Sequence, residues 1–309
     1  MGWGRAYFAL QACAGALWWI TVFTIPAVRH ATLGGLDPWL VAAADVPLFV
    51  VGSAIAATGS RAAALITTSW TGLVTLGLAV YATATTLAGW GAVLMIAATA
   101  ASVLASLLVW RERIPTEWLL VGPSRSREAD ADASPARNVL ATAMQIVVFW
   151  GVCLGIIPLV IAAAEERWRL ELGVPPEVPI LGVVLFVAAS ALGLWSAAAM
   201  STLGGGTPLP IATARRLVVR GPYRFVRNPM AIAGIAQGVA VGMMLSSWLV
   251  VVYALAGSLV WNHAIRPHEE RDLEQRFGDD FRTYRAAVRC WWPGWHPVPA
   301  SIAPRMPSR

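Results

Sequence analysis

The sequence contains no lysine, and all 23 of its basic residues are arginines. Charged residues of either sign are scarce as well, at 13% of the 309 residues, whereas 57% of the residues are apolar. Soluble domains carry about 25% charged residues, so this chain has too little charge to cover a water-exposed surface. Together with a mean hydropathy of +0.62, this composition predicts an integral membrane protein.

Cysteine and histidine are also rare. The three cysteines, Cys13, Cys153 and Cys290, show no paired spacing, which argues against a disulfide framework and against a zinc site. His263 and His268 lie close together, but residues five apart on a helix point in different directions and are badly placed to share a metal ion. We therefore expect no metal site.

The formal net charge of +6 is compatible with a nucleic-acid partner. Most of the arginines, however, flank long apolar runs, where they are better explained as charges that stay on the cytoplasmic side of a membrane. We therefore expect membrane lipids, and no nucleic acid, among the partners of this protein. The arginine-only, alanine-rich composition favours a bacterial source.

Six apolar stretches are long enough to cross a hydrocarbon layer of about 30 Å as helices. They lie at residues 6–28, 38–58, 63–87, 90–110, 139–163 and 179–202. A further apolar run at 229–265 is too long for one crossing, and Ser246 and Ser247 near its middle predict a tight turn. The sequence therefore predicts an all-α membrane protein with eight transmembrane helices, the last two forming a hairpin.

The arginines also predict the orientation of these helices. With the N-terminus in the cytoplasm, 20 of the 23 arginines lie on the cytoplasmic side, and only Arg29, Arg167 and Arg169 lie outside. Because short cytoplasmic loops are enriched in basic residues, we expect both termini to be cytoplasmic. The expected location is a bacterial inner or cell membrane.

A polar stretch that contains proline and serine divides the chain. It predicts a cytoplasmic linker at 113–138, between an N-terminal four-helix domain (1–112) and a C-terminal four-helix domain (139–309). The predicted spans of the first domain contain a single acidic residue, Asp45. A charge inside the membrane is costly and often functional, but Asp45 lies near the end of its helix. Both a structural and a functional role are therefore possible.

Two segments on either side of the predicted hairpin hold most polar features of the second domain. The segment 204–229 contains four prolines, which rule out a continuous helix, and three glycines that suit either a helix cap or a close approach to a ligand. The segment 261–293 has apolar residues at helical spacing and the acidic pair Glu269 and Glu270. Since neighbours on a helix differ by about 100°, the two carboxylates would address different groups, either on a ligand or in surface salt bridges.

The motif GPYRFVRNPM, followed by an apolar hairpin and then by EERDLEQRFGDDFRTY with a WWP stop, closely resembles the C-terminal region of isoprenylcysteine carboxyl methyltransferases and phospholipid methyltransferases. The resemblance spans residues 204–292, less than a third of the chain. The sequence departs from these families at Ala231 and Phe281, where relatives often have tyrosine, and in the spacing of Gly234. These departures concern the substrate more than the cofactor. The matching positions are Arg227, Asn228, Pro229, Glu269, Glu270, Leu273, Phe277, Gly278 and Tyr284.

The resemblance implies an S-adenosylmethionine-dependent methyltransferase that acts on a lipophilic acceptor at the membrane interface. A carboxylate of the acidic pair suits the ammonium or ribose of the cofactor, and Arg224 or Arg227 suits its carboxylate. Arg266, which would hold an acceptor carboxylate, and Glu270 are the expected catalytic residues. The expected cofactor-binding residues are Gly204, Gly206, Tyr223, Arg224, Arg227, Asn228, Pro229, Glu269, Glu270 and Tyr284.

Two other functions fit parts of the sequence. Membrane reductases of the sterol reductase type share an Arg-x-Pro pattern but bind NADPH, which the acidic pair suits less well. A transporter or a lipid-binding scaffold is a third possibility. Transport across the membrane would require a polar pathway, and the strongly polar residues within the predicted spans are few: Gln11, Asp45, Gln145 and Gln237.

Overall fold

The computed structural model describes residues 2–120, 135–204 and 216–297. The described residues are 82% helical and include no β-strand, which confirms the all-α prediction. Seven helices in these ranges are long and apolar enough to cross a membrane, so this is a multi-pass membrane protein. The chain divides into two compact units, Met1–Pro115 with Ala163–Glu171, and Thr116–Ala162 with Leu172–Arg309. Half of the predicted linker, 121–134, lies outside the described residues.

The first unit contains four long helices and a short one. They are α1 (Trp3–Thr24), α2 (Pro26–Leu33), α3 (Pro38–Ala57), α4 (Arg61–Thr85) and α5 (Gly89–Arg111). Asp37 caps α3 by accepting hydrogen bonds from the backbone N–H groups of Trp39 and Leu40. Ser60 caps α4 in the same way, through Ala63. These helices therefore begin where a polar side chain satisfies the first free N–H groups.

Small residues bring the helices of the first unit close together. A Cβ atom on Gly4 would lie 2.6 Å from the backbone oxygen of Ala105, so α1 can approach α5 this closely only at a glycine. Ala56 and Ala64 are buried in one cluster with Phe8. Because lipid tails are as apolar as the helices themselves, close packing of this kind holds membrane helices together.

Asp45 links three helices of the first unit. Its carboxylate accepts hydrogen bonds from the indole N–H of Trp19 on α1, at 2.9 Å, and from that of Trp70 on α4, at 2.8 Å. Asp45 itself is buried on α3. The two indoles bond to different carboxylate oxygens, so an asparagine would present an NH2 donor to one of them. This geometry supports a structural role for Asp45.

The second unit contains the remaining long helices. They are α6 (Val139–Arg167), α7 (Glu177–Leu203), α8 (Pro229–Met244), α9 (Trp248–Val260) and α10 (Arg266–Ala287). The end of α6, from Ala163 onward, belongs to the first unit. α7 and α8 pack tightly, because a Cβ atom on Gly182 would lie 2.9 Å from the backbone oxygen of Ala240. Gln237 on α8 also donates a hydrogen bond to Ser190 on α7, at 3.0 Å.

α8 and α9 run antiparallel on either side of a short turn. Ser246 in the turn has a positive φ of 54°, and Ser247 caps α9. Farther from the turn, Gly238 of α8 lies directly against Ala254 of α9. A Cβ atom added to Gly238 would lie only 2.8 Å from the Cβ atom of Ala254. The two helices therefore form a tightly packed pair.

The structure does not confirm the eighth membrane crossing that the sequence predicts. α8 has 16 residues, which corresponds to about 24 Å of helix, whereas the hydrocarbon layer is about 30 Å thick. α8 is apolar, but it is shorter than the seven helices that are long enough to cross the membrane. The eighth crossing and the transmembrane hairpin stay predictions.

The last helical stretch is too long for a single membrane crossing. Trp248–Ala287 has 40 residues, or about 60 Å of helix. Its apolar part consists of α9 and the π-helical turn Trp261–Ile265, whereas α10 is strongly polar. The membrane-spanning segment therefore ends near Ile265, and α10 lies outside the hydrocarbon layer.

α10 is broken at Gly278. Its φ of 50° and ψ of −122° lie in a region that glycine adopts without strain and other residues avoid. Beyond the break the chain turns back, and Phe281 and Tyr284 are buried in a cluster with Val219 and Val288. The bend thus brings the end of α10 against the segment that precedes α8.

Replacing Gly278 by alanine should lower the free energy of unfolding by about 1–3 kcal/mol, because alanine is strained at this φ and ψ. Thermal unfolding of the purified protein in detergent measures the change. Gly257→Ala is the matched control, since Gly257 lies inside α9 with no atom within 4 Å of an added Cβ. Alanine there should leave the melting temperature unchanged or raise it. Equal losses in both variants would contradict this account of the bend.

Candidate functional site

The second unit encloses a cavity of about 550 Å³. Its walls are of two kinds. The polar wall comes from the segment before α8 and from α10, both outside the hydrocarbon layer, and the apolar wall comes from the membrane helices α6 to α9. The polar wall consists of Arg216, Tyr223, Arg227, Asn228, Glu269, Asp272, Arg276 and Tyr284. The cavity therefore connects the edge of the membrane with its interior.

One face of α6 forms a side of the apolar wall. Gln145, Phe149 and Cys153 recur every four residues and all line the cavity, as residues on one helix face do. A π-helical turn at Trp150–Ile156 lies at this level, and such turns are frequent at functional sites. The hydroxyl of Tyr253 on α9 donates to the Cys153 carbonyl at 3.3 Å, which joins α9 to α6.

The first sequence motif folds as a tight turn that leads into α8. Gly221–Arg224 is a short 3₁₀ helix, and Gly221 has a φ of 57°, a conformation that favours glycine. Pro229 is the first residue of α8, where its missing N–H has no cost, and Asn228 precedes it at the N-cap. The turn places Tyr223 in the polar wall of the cavity.

The end of the described chain is hydrogen-bonded to this turn. The backbone N–H of Arg227 donates to the carbonyl of Arg289 at 3.0 Å, and that of Gly294 donates to the carbonyl of Phe225 at 2.8 Å. The hydroxyl of Tyr284 donates to the Tyr223 carbonyl at 2.8 Å. Burial raises the pKa of Tyr284, so its hydroxyl stays protonated and available as a donor. These contacts bring the two sequence motifs together around one cavity.

Glu269 lies in the wall of the cavity. Burial raises the pKa of its carboxyl group to about 7, and the negative charges of Glu270 and Asp272 add to this effect. A carboxylate in such surroundings is stabilised by any cation that binds next to it. Glu269 is therefore the best-placed acidic residue of this cavity for holding a positively charged ligand group.

Glu270 points in a different direction, as expected for its neighbour on a helix. Its Oε1 atom lies 3.4 Å from Nη2 of Arg227 and 4.0 Å from Nη1 of Arg266. The side chain of Arg227 is only 12% exposed. Even so, Nε and Nη1 of Arg227 and Nε of Arg266 are buried without a hydrogen-bond partner among the described residues. The site thus contains buried donors with capacity for an anionic group.

Cys290 joins the two motifs, and sequence reasoning missed it. Its Sγ atom accepts hydrogen bonds from Nδ2 of Asn228 and from Nη1 of Arg266, each at 3.1 Å. Thiol sulfur is a weak acceptor, so these contacts orient the two donors without holding them strongly. Nothing in the sequence around Cys290 indicated this position, because the contact depends on the chain folding back after Gly278.

Asp272 and Arg276 are two further cavity residues that the sequence did not single out. They form an ion pair at 3.2 Å, with the i,i+4 spacing of a helical salt bridge, and both line the cavity. Their helical spacing from Glu269 is the signal that could have identified them. Among the described residues, no three His, Cys, Asp or Glu side chains are grouped as a metal site would require.

The structure brings six of the predicted cofactor-binding residues into the cavity wall. They are Tyr223, Arg227, Asn228, Pro229, Glu269 and Tyr284. Glu270 and Arg266 lie behind this wall, next to Arg227, and Arg224 is not part of the lining. Gly204 is the C-cap of α7, with its N–H bonded to the carbonyl of Met200. Gly206 lies outside the described residues.

The positions at which the sequence departs from its relatives fall in two places. Ala231 and Gly234 both line the cavity, and no atom lies within 4 Å of a Cβ added to Gly234. These small residues leave space next to α8. Phe281, by contrast, belongs to the buried cluster with Tyr284 and Val288 and is not part of the cavity lining.

Comparison with known proteins agrees with this arrangement. Residues 178–280 match the family model described as phospholipid methyltransferase. The matched segment covers about a third of the chain, runs from the start of α7 into α10, and contains Arg227, Asn228 and Glu269. A search of curated proteins finds no match to the chain. This match confirms the predicted resemblance of the C-terminal region to the membrane methyltransferases of the isoprenylcysteine carboxyl and phospholipid methyltransferase superfamily.

Proposed function

We propose that this protein transfers a methyl group from S-adenosylmethionine to a lipophilic acceptor, in the manner of an isoprenylcysteine carboxyl methyltransferase. The observation that carries the proposal is the cavity of the second unit, whose polar wall lies outside the hydrocarbon layer and whose apolar wall lies among the membrane helices. A water-soluble cofactor and an apolar acceptor require a site that is open to both of these environments.

The polar wall suits the charged groups of S-adenosylmethionine. The α-ammonium group of the cofactor matches Glu269, whose carboxyl group is buried next to two other acidic residues. The α-carboxylate matches Arg227, because two buried N–H groups of its guanidinium have no partner among the described residues. Tyr223, Asn228 and Pro229 complete the proposed cofactor site, with Tyr284 holding the turn.

S-adenosylmethionine supplies a methyl group on a positively charged sulfur. The acceptor's nucleophilic atom bonds to the methyl carbon as the carbon–sulfur bond breaks, and the electron pair of that bond stays on sulfur. The protein then has to orient the acceptor and exclude water, so no nucleophilic side chain is needed. Arg266 does not line the cavity, so its expected contact with an acceptor carboxylate stays a prediction. Glu270 is a positioning residue that holds Arg227 and Arg266.

The apolar wall suits the hydrocarbon part of the acceptor. α6, α8 and α9 line it with side chains such as Phe149, Ile235 and Ala254. The hydroxyl of Thr142, also in the lining, is buried without a hydrogen-bond partner among the described residues. An acceptor with a polar group on a long apolar chain therefore fits this wall better than a fully hydrocarbon molecule.

The proposed location follows from the same arrangement. The methyl donor is made in the cytoplasm, so the polar wall should face the cytoplasm, which agrees with both termini on that side and with the arginine distribution. The partners in this proposal are a lipophilic substrate and the surrounding membrane lipids. The proposed function involves no nucleic acid.

Purified protein in detergent should bind S-adenosylmethionine, or its demethylated product, more tightly than NADPH. The reason is that Glu269 attracts the ammonium group of S-adenosylmethionine, whereas NADPH has no ammonium group to place next to this carboxylate. Calorimetric titration of both ligands measures the preference. Tighter binding of NADPH would support the sterol reductase alternative, and binding of neither would support a lipid-binding or transport protein.

Glu269→Gln should weaken binding of the demethylated product by about 30- to 1,000-fold, because one charged hydrogen bond worth about 2–4 kcal/mol is lost. Glu270→Gln should have a comparable effect by releasing Arg227 and Arg266. Both variants should lose methyl transfer activity and keep a near-normal melting temperature. Titration calorimetry and thermal unfolding measure the two quantities.

Glu274→Gln is the matched control. Glu274 forms ion pairs with Arg282 at 3.4 Å and with Arg285 at 3.0 Å, but it is not part of the cavity lining. The Glu274→Gln variant therefore loses ion pairs on α10 but leaves the cavity lining unchanged. Unchanged affinity in both variants of the acidic pair would refute the proposed site. Equal damage from Glu274→Gln would show that the assay reports the folding of α10.

Affinity for the cofactor should depend on pH through Glu269. The carboxyl group must be ionised to hold an ammonium group, and its pKa is about 7. The affinity of the wild-type protein should therefore rise about five-fold between pH 6 and pH 7 and level off above pH 8. Glu269→Gln should show no such rise. A wild-type affinity that stays constant or falls over this range would contradict the assignment of Glu269.

A further inference from the structure

The first unit encloses a second cavity, of about 610 Å³. It lies among the membrane helices α1 to α5, and most of its lining is apolar, for example Leu10, Val74 and Leu94. The lining also contains Asp45, which is buried. An apolar cavity of this size with one acidic group is the common form of a small-molecule site.

The charge of Asp45 is not balanced by a basic residue of the cavity. Its two carboxylate oxygens accept hydrogen bonds from the indoles of Trp19 and Trp70. These neutral donors fix the position of the carboxylate but leave its net charge in place. The residues that line the cavity include no arginine and no histidine. Since an isolated charge inside a membrane is costly, a cation next to Asp45 would be favourable.

A second observation also points to a ligand with a polar group. The indole N–H of Trp18, a residue of the cavity lining, is buried without a hydrogen-bond partner among the described residues. The amide of Gln11 in the same lining is satisfied by Tyr7, Ser53 and Ser102. Gln11 is therefore hydrogen-bonded within the protein, whereas the indole N–H of Trp18 can still donate a hydrogen bond to a ligand.

The aromatic residues of the lining suit a cation as well. Tyr7, Trp18, Phe49 and Tyr81 all line the cavity together with Asp45. Aromatic faces attract ammonium and other soft cations, most strongly where water is absent. A carboxylate among aromatic rings in an apolar cavity therefore selects ligands that are both positively charged and lipophilic.

We propose that the first unit binds a lipophilic organic cation in this cavity, with the carboxylate of Asp45 as its counter-ion and the aromatic residues around its apolar groups. Asp45 then has two functions, because it also links Trp19 and Trp70. The site is in the first unit and does not depend on the proposed methyl transfer, which uses residues of the second unit. Either conclusion can fail without the other.

The test uses two probes of the same shape and opposite charge, tetraphenylphosphonium and tetraphenylborate. Their equilibrium binding to the full-length protein in lipid nanodiscs is measured, and uptake by protein-free nanodiscs is subtracted. We expect the phosphonium to bind saturably with one site per chain and at least about ten-fold more tightly than the borate, because the carboxylate and the aromatic faces attract a cation and disfavour an anion of the same shape.

Two substitutions test the position of the site. Asp45→Asn removes the charge and should weaken binding of the phosphonium by at least about ten-fold. Because this change also affects one indole contact, a second variant leaves Asp45 intact. Gly77 lines the cavity, and no atom lies within 4 Å of a Cβ added to it. Gly77→Phe should therefore fill the cavity and abolish binding in a folded protein.

Leu76→Phe is the control for added bulk, since Leu76 is exposed on the same helix and is not part of the lining. This variant should bind the phosphonium as the wild type does. Equal binding of both ions by the wild type would overturn the proposal and indicate a cavity that takes neutral lipid tails. Wild-type binding in Gly77→Phe would overturn it as well. Methyl transfer should be unchanged in Gly77→Phe.

Discussion

The hydrogen-bonded contact between the end of the described chain and the turn before α8 is the interaction on which the second unit depends. Three bonds make it, from Tyr284 to the Tyr223 carbonyl and between the backbones of Arg227 and Arg289 and of Gly294 and Phe225. Each is worth about 1 kcal/mol. Their importance lies in position, because they join α10 to the segment before α8, and Glu270 of α10 lies 3.4 Å from Arg227 of that segment. Without them the polar wall of the cavity would have no fixed shape.

The charges that this contact assembles satisfy one another only in part, because Glu270 pairs with Arg227 and Arg266 through a single oxygen atom. Glu269 has acidic neighbours, while Arg227 and Arg266 retain buried N–H groups without a partner among the described residues. A protein that used these groups only for stability would pair them fully, because unpaired buried polar atoms cost about 1–3 kcal/mol each. Their arrangement is typical of a site that is completed by a ligand carrying both a positive and a negative group.

Much of this organisation could be predicted from the sequence, and the parts that could not have physical reasons. Long apolar runs identify membrane helices because every backbone group in lipid must bond within its own helix. The motif around Arg227 and the acidic pair identified most of the polar wall. Cys290 and Arg276 were missed, since their positions depend on helix phase and on the bend at Gly278. The predicted count of eight crossings requires α8 to span the membrane. The apolar run at 229–265 does not show where α8 ends, so the length of this helix could not be read from the sequence. The predicted boundaries at 112 and 138 stay predictions.

The shortness of α8 has a consequence for the surrounding bilayer. A helix of about 24 Å is shorter than a hydrocarbon layer of about 30 Å, and this hydrophobic mismatch is relieved when the adjacent lipid thins. A crossing by α8 would therefore require a thinner bilayer next to it, and this would shorten the distance that a membrane-bound molecule moves between the headgroup layer and the apolar wall of the cavity.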